Sequence, residues 1–319
     1  MKDSMIYYSV GALLYCPANK ETIANSVAGQ RFGKKYSLAL CLEDTINSDY
    51  VSEAEQQLIA SLHQLYASSK QISFYLPKIF IRIRCPEQIE KLYKALGDAV
   101  QLLTGFIIPK FAPENADSYI ERIRLLNEKA AKPVYMMPIL ESPCIIHLQH
   151  RSDVLYTLKA KLDAVEPYVL NIRVGGNDLC HMFGFRRQST ESIHDIKPIS
   201  AIFSDIITVF GMQYVISGPV WEYYNGDHWD AGLIAELDQD RQAGFIGKTV
   251  IHPKQIDLVN SAYQVSKTDL EDAKSILNWD EKSPALVSGS ARSERMNEYN
   301  THYRWAQKIL FLSEYYGVT

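Results

Sequence analysis

Short β-branched apolar runs alternate with longer amphipathic segments along this chain. The runs that read as strands fall at 12–16, 36–42, 79–84, 105–109, 134–140, 169–175, 213–219 and 248–252. Between them, 20–31, 52–67, 86–98, 115–129, 151–163, 197–210, 230–243 and 254–265 show helical spacing, clearest in the last two. Eight strand–helix units in series predict a (β/α)8 TIM barrel, with a doubly wound open sheet as the alternative. Beyond the eighth unit come a helical stretch near 268–279, a break ("EKSPALVSGS") and an amphipathic helix over 301–315. The chain therefore divides into a barrel, 1–266, and a C-terminal helical extension, 267–319, with no internal repeat.

The strand-like runs share a second feature, which is that they end on charge. "LALCLED" ends on Glu43 and Asp44, "IFIRIR" carries Arg82 and Arg84, "GFIIPK" ends on Lys110, "MPILESP" contains Glu141, "VLNIRVGGND" reaches Asp178 and "KTVIHP" ends with His252 before its proline. A polar residue often marks where a strand leaves the core, so one such end means little. In a parallel barrel, however, every strand delivers its C-terminal end to one rim, and these groups converge. Two acids on successive units, Glu141 and Asp178, offer carboxylate oxygens to a hard cation and leave the rest of its sphere to water and substrate, which is the habit of Mg2+, with Mn2+ as the alternative. Glu43 and Asp44 suit hydrogen bonding to metal-bound water or proton transfer. Arg82 offers a guanidinium fork for a substrate carboxylate, or an internal ion pair with Glu43 or Asp44.

Composition narrows the class. The 319 residues are 47 % hydrophobic and 11 % aromatic, enough for a sizeable core and against large-scale disorder. Lysine and arginine total 33 against 37 acids, a net charge of −4 without a basic block, which argues against nucleic acid as a partner. No apolar run approaches the roughly 20 residues that span a bilayer, and the first 20 residues lack a convincing cleavage site, so a cytoplasmic protein without a membrane partner is expected. The five cysteines have no C-x-x-C spacing and read as separate, reduced thiols.

In this order, the stretches resemble the citrate lyase β-subunit and malyl-CoA lyase superfamily, which also includes the HpcH/HpaI aldolases. "ALLYCPANKETIANS", "LCLEDTI", "IRIR", "GFIIPK", "MPILESP" and "RVGGNDLCHMFG" follow the superfamily's motifs, and "DQDRQAGFIGKTVIHPKQIDLVN" is the most specific of them. "RVGGNDLCHMFGFRR" is similar to a divergent branch of C–C bond lyases from tellurium-resistance-type biosynthetic clusters. The resemblance implies a TIM barrel, a divalent metal and cleavage or formation of a C–C bond beside an acyl group, often a CoA thioester, in a homotrimer or hexamer. It further implies Glu141 and Asp178 as metal ligands, Arg82 as the substrate arginine, Glu43 and Asp44 as acids around the metal, and Glu298 in place of a C-terminal catalytic aspartate. Three positions depart from the pattern: Cys41 replaces the first acid of the Asp-Leu-Glu-Asp signature, Glu298 stands for the C-terminal aspartate, and Arg84 stands where asparagine is common.

Arg84 and Lys110 are further candidates for substrate binding, the latter against a plain rim charge. Arg186 and Arg187 would bind phosphates or pair across a subunit contact. His147 and His150 lack an acid to complete a zinc set, and His252 reads as fixing a loop. In the last helix, Trp305, Ile309, Leu310 and Leu312 form an apolar face that either packs back on the barrel or crosses to a neighbouring subunit, carrying Glu298 over its rim. The function that these residues support is an Mg2+-dependent lyase of retro-aldol or retro-Claisen type acting on a small carboxylate-bearing hydroxyacyl substrate. Two alternatives stand beside it, a binding subunit or scaffold without turnover and a thioester hydrolase on the same barrel.

Overall fold

The computed structural model describes residues 2–319. Eight strands, β1 (Ala12–Pro17), β2 (Tyr36–Cys41), β3 (Lys78–Arg82), β4 (Leu103–Ile108), β5 (Tyr135–Leu140), β6 (Ile172–Val174), β7 (Ile216–Ser217) and β8 (Lys248–Val250), run parallel in one sheet, in the order β7-β6-β5-β4-β3-β2-β1-β8. A parallel bridge between Gly218 and Lys248 joins β7 to β8, with the Gly218 N–H donating to Gly247 O at 3.0 Å, and closes the barrel. The eight expected strands are all present, although β6 and β7 are shorter than their apolar runs.

Period-two alternation sorts each strand. Leu13, Ala39, Phe80, Ile107, Met137 and Ile139 point inward and pack together with Val10 and Leu170 as the barrel filling. Their neighbours Leu14, Leu38, Leu40, Ile79, Ile81 and Phe106 point outward into the larger core under the helices. The same parity carries Arg82 and Glu141 inward at the C-terminal end, two residues past Phe80 and Ile139, and Arg173 inward between the outward-facing Ile172 and Val174.

The surrounding helices are α1 (Met5–Tyr8), α2 (Ile23–Ala28), α3 (Val51–Gln71), α4 (Glu87–Ala95), α5 (Pro113–Asn127), α6 (Leu148–Asp163), α7 (Gly176–Met182), α8 (Lys197–Phe210), α9 (Trp229–Ala243), α10 (Ile256–Ala262), α11 (Lys267–Leu277) and α12 (Tyr299–Tyr316). Two of them, α1 and α7, were not anticipated. A four-residue helix leaves almost no periodic signal, and α7 begins on Gly176 directly after Gly175, which reads as loop.

The extension lies against the barrel of its own chain. Its last helix packs in its own chain, with Ala306, Ile309, Leu312 and Tyr316 buried. Tyr8 and Phe311 stack at 5.1 Å, Tyr263 and Tyr316 lie 5.4 Å apart, and Tyr315 covers Gly11, where an added Cβ would come within 2.9 Å of the tyrosine oxygen. Within its own chain the buried face of α12 covers the N-terminal end of the barrel, opposite the rim. An antiparallel pair, β9 (Val287–Gly289) and β10 (Met296–Glu298), fills the break before it.

Candidate active site

At the C-terminal end of the barrel one cluster gathers most of the expected groups. Arg82, at the end of β3, is its hub: Nη2 lies 2.7 Å from Glu43 Oε2, 2.8 Å from Asp44 Oδ2 and 3.2 Å from Glu141 Oε1. Lys110 Nζ closes the ring from the other side, 2.8 Å from Glu43 Oε1 and 3.3 Å from Asp44 Oδ1. The Lys110 backbone has a positive φ of 48°, which aims its N–H at Glu141 Oε1 at 3.0 Å. Arg82 thus forms the internal ion pairs considered above, while its Nε remains buried and unpartnered.

Glu141 is 3 % exposed. Burial, opposed by Arg82 and reinforced by the Asp178 carboxylate facing it, pushes its pKa up to about 8. With Oε1 held by Arg82 and the Lys110 N–H, Oε2 is directed at the β6–α7 turn that bears Asp178. Gly175 permits that approach, since a Cβ there would stand 2.1 Å from Glu141 Oε2. A buried carboxylate with a raised pKa, facing a second, half-buried one across the space that Gly175 leaves, forms a donor set that a divalent cation fits. The described residues hold no cluster of three or more His, Cys, Asp or Glu that could ligate a metal, so the remaining positions would fall to water and substrate.

The other two acids have been driven apart. Burial and the adjacent Asp44 raise Glu43, whereas Asp44 is lowered because Glu43, Arg82 and Lys110 together outweigh its burial. Cys41 lies fully buried two residues before Glu43.

Arg84 departs from expectation. Its Nε donates to Leu42 O at 2.6 Å and Nη2 to Glu43 O at 2.9 Å and to Ile46 O, so the guanidinium is spent on carbonyls of the β2–α3 loop and does not line the cavity. A fork with its donors consumed cannot grip a substrate; it holds the loop that presents Glu43 and Asp44. Glu298 is not in the cluster of its own chain. It ends β10, opposite Val287, and its N–H donates to His302 Nδ1 at 2.9 Å. Arg187 is committed within its own chain: it is buried against Glu236, donates to Val220 O at 2.6 Å and lies 5.2 Å over the Trp221 ring. His252 caps a turn and stacks on Tyr224 at 4.8 Å.

The cavity over the cluster has a volume of ≈ 250 Å³, below the roughly 300–1,000 Å³ of clefts that bury drug-sized ligands. Asp44, Arg82, Glu141 and Asp178 line it together with Tyr15, Arg173 and Thr249. Sequence reasoning passed over Arg173. It is 1 % exposed, Nη2 donates to Thr249 Oγ1 at 2.6 Å, and burial pulls its pKa down. The available signal was parity, because an arginine between Ile172 and Val174 in a barrel strand must point into the barrel.

A (β/α)8 barrel with an acidic, arginine-centred cluster at its C-terminal rim defines the class, and the chain belongs to the family of C–C bond lyases of the TIM-barrel fold, whose profile matches residues 4–318. By class it is a carbon–carbon lyase. Among individual proteins it is similar to a citrate lyase of Burkholderia xenovorans LB400, with 15 % identity, a TM-score of 0.71 and coverage of 97 % of this chain and 93 % of that one. It is also similar to the protein CitE of Mycobacterium tuberculosis in complex with magnesium, acetoacetate and coenzyme A, with 18 % identity, a TM-score of 0.60 and coverage of 97 % and 99 %. A segment of 91 residues is 32 % identical to a (3S)-malyl-CoA thioesterase of Cereibacter sphaeroides strain KD131; it spans 28 % of this chain and 32 % of that relative.

Proposed function

We propose that the cluster is the active site of an Mg2+-dependent lyase that makes or breaks a C–C bond in a small carboxylate-bearing hydroxyacyl substrate, presented as a CoA thioester. The observation that carries this reading is the buried Glu141 carboxylate facing Asp178, beside Arg82, on the wall of a small cavity. The magnesium and coenzyme A in the Mycobacterium tuberculosis protein CitE support it as a chemical precedent on the same fold.

Glu141 and Asp178 would hold Mg2+, or Mn2+ in its place. Bound there, the cation supplies Lewis acidity toward the substrate's carboxylate and adjacent oxygen. Arg82 orients that carboxylate through the donors its ion pairs leave free and steadies negative charge that develops on the released fragment. Lys110 fixes Glu141 through its N–H and holds the Glu43–Asp44 pair through its ammonium group. Acids whose pKa values are driven apart divide the labour of proton transfer, and Asp44, on the cavity wall, is placed to exchange the substrate's proton, with Glu43 behind it. Glu298, half-exposed and away from its own cavity, would serve the rim of a neighbouring subunit in a homotrimer or hexamer.

The local identity with a thioesterase favours hydrolysis as the second reading. Incubation with short hydroxyacyl-CoA thioesters, and with acyl-CoA plus 2-oxo acids, followed by mass spectrometry separates the two. The lyase gives an acyl-CoA together with an oxo acid, or their condensation product. Free CoA with an intact carbon skeleton would mean hydrolysis, and Mg2+ binding without turnover would mean a binding subunit.

A further inference from the structure

A second cavity, of ≈ 180 Å³, opens at the other end of the barrel, where α12 crosses the α9–β8 turn and the α10–α11 connection. It shares no lining residue with the cavity over the cluster. Its floor is apolar: Phe245, Ile246, Val265, Ile309 and Leu312 are all buried. Onto this floor α12 brings Trp305 and Lys308, neighbours at i, i+3 on one face of the helix.

Lys308 is half-buried. A lysine that only covers apolar surface carries its ammonium group out to water. Here burial pulls the pKa of the group down, and no acid opposes it. Asp269, the one acid among the lining residues, is engaged elsewhere, 2.7 Å from Arg295 Nη2, and the Arg295 guanidinium carbon lies 5.1 Å over the Trp305 ring. Arg241 adds a second cation to the wall, met by Asp238 at 3.1 Å, and the Gln264 amide adds further N–H donors. Donors thus crowd an apolar floor, and the ammonium group among them has no acid of its own. A buried polar group without a partner is costly, and an unpaired charge more so, which makes this cavity complementary to a ligand that brings a negative charge and an apolar body together. The volume admits a small molecule and excludes a helix, which is about 10 Å across.

We infer that this cavity is a binding site for a small monocarboxylate with an apolar body, whose carboxylate meets Lys308 and whose body lies against Trp305 and the apolar floor. The inference does not rest on the lyase reading, because no group of the catalytic cluster takes part in it.

The test is calorimetric titration of the full chain with hexanoate, with its neutral isostere hexanamide and with acetate, for wild type, Lys308→Met and Lys308→Gln. Wild type should bind hexanoate about tenfold or more tighter than hexanamide, the order of one charge-assisted hydrogen bond. It should also bind hexanoate more tightly than acetate, which lacks the apolar body. Lys308→Met should bring hexanoate and hexanamide level, and the free variant should melt at or above wild type, because an unpaired ammonium group has left apolar surroundings. Lys308→Gln should keep hexanamide binding and lose the preference for the acid; it decides the matter should the methionine variant fail to fold. In a crystal soaked with hexanoate, the carboxylate should lie within hydrogen-bond distance of Lys308 Nζ. Binding at Arg82 instead would show as a preference undiminished in both variants, and that outcome overturns the inference. So does the absence of hexanoate binding to wild type, as when a second copy of the chain already covers the cavity.

Discussion

Arg82 touches three acids at once, and its chemistry depends on geometry more than on charge. Its Nη2 ties Glu43, Asp44 and Glu141 together, so only Nε and Nη1 remain to meet a substrate. An ammonium group in its place keeps the positive charge and loses the fork. Arg82→Lys is therefore expected to lose nearly as much kcat/KM as Arg82→Ala, on the order of a hundredfold or more, while its retained charge keeps the thermal midpoint above that of the alanine variant. Steady-state kinetics on both variants checks this, and a lysine variant with wild-type turnover would contradict it. At this scale most of the cluster was legible in the sequence: a charge at the end of a barrel strand has only the rim to go to, and Arg82, Glu43, Asp44, Lys110, Glu141 and Asp178 all reached it. Arg84 misled because residues just past a strand end are steered by the loop, and the nearby carbonyls captured its donors. Arg173 was missed because attention went to charges that end apolar runs, and this one lies within its run.

Among the elements, α9 and β8 carry the strongest buried electrostatics outside the cavity. Glu236 and Asp240, one helical turn apart on α9, meet Lys248 on the outward face of β8 at 2.8 Å and 2.6 Å, and all three side chains are fully buried. Arg187 joins from the α7–α8 loop, and His194 Nε2 lies 2.8 Å from Asp240 Oδ1. Through Arg187 the network reaches Val220 O and Trp221, and so fixes the β7 loop on the cavity rim. The sequence shows the i, i+4 acids and the lysine but not that they are buried, since the same spacing serves an exposed helix face equally well. Burial alone would raise Glu236; Lys248 and Arg187 outweigh it and leave the carboxyl below its ordinary value. A depressed folded-state pKa gives stability that is present above the unfolded value, near 4.5, and is lost as pH falls through the lower folded value. Thermal melts from pH 7 to pH 3 should show a midpoint that falls below about pH 4.5 in wild type. Glu236→Gln should begin lower by roughly 3–5 kcal/mol at pH 7, with a shallower acid limb. An equal acid limb in the variant would remove Glu236 from that dependence.

For the whole molecule the period-two and 3.6-residue patterns were sufficient to give eight strands and the helices around them, because a parallel barrel buries both faces of every strand and leaves long apolar runs. The placement of α12 was not legible: an amphipathic helix declares that it needs cover, not where the cover lies. In its own chain that face covers the N-terminal end of the barrel, and Glu298 lies outside its own cavity, so under the proposed reading it serves a rim only by being offered to another chain. Mixing Glu141→Gln with Glu298→Gln protein under subunit exchange tests this. Each variant is expected to be inactive alone, and part of the activity should return when an intact rim meets an intact Glu298. Exchange verified by mass spectrometry without recovery would show that each chain works by itself.

The central claim is that Glu141 and Asp178 form a divalent-cation site. The thermal midpoint with and without Mg2+, measured for wild type, Glu141→Gln and Asp178→Asn, addresses it without knowledge of the substrate. At one hundred times its Kd the cation should stabilise wild type by about 2.7 kcal/mol, a rise of a few degrees. Both variants should lose that rise, and the free variants should melt at or above free wild type because the facing negative charges are gone. A rise undiminished in either variant, or no rise in wild type at saturating Mg2+ or Mn2+, would contradict the account.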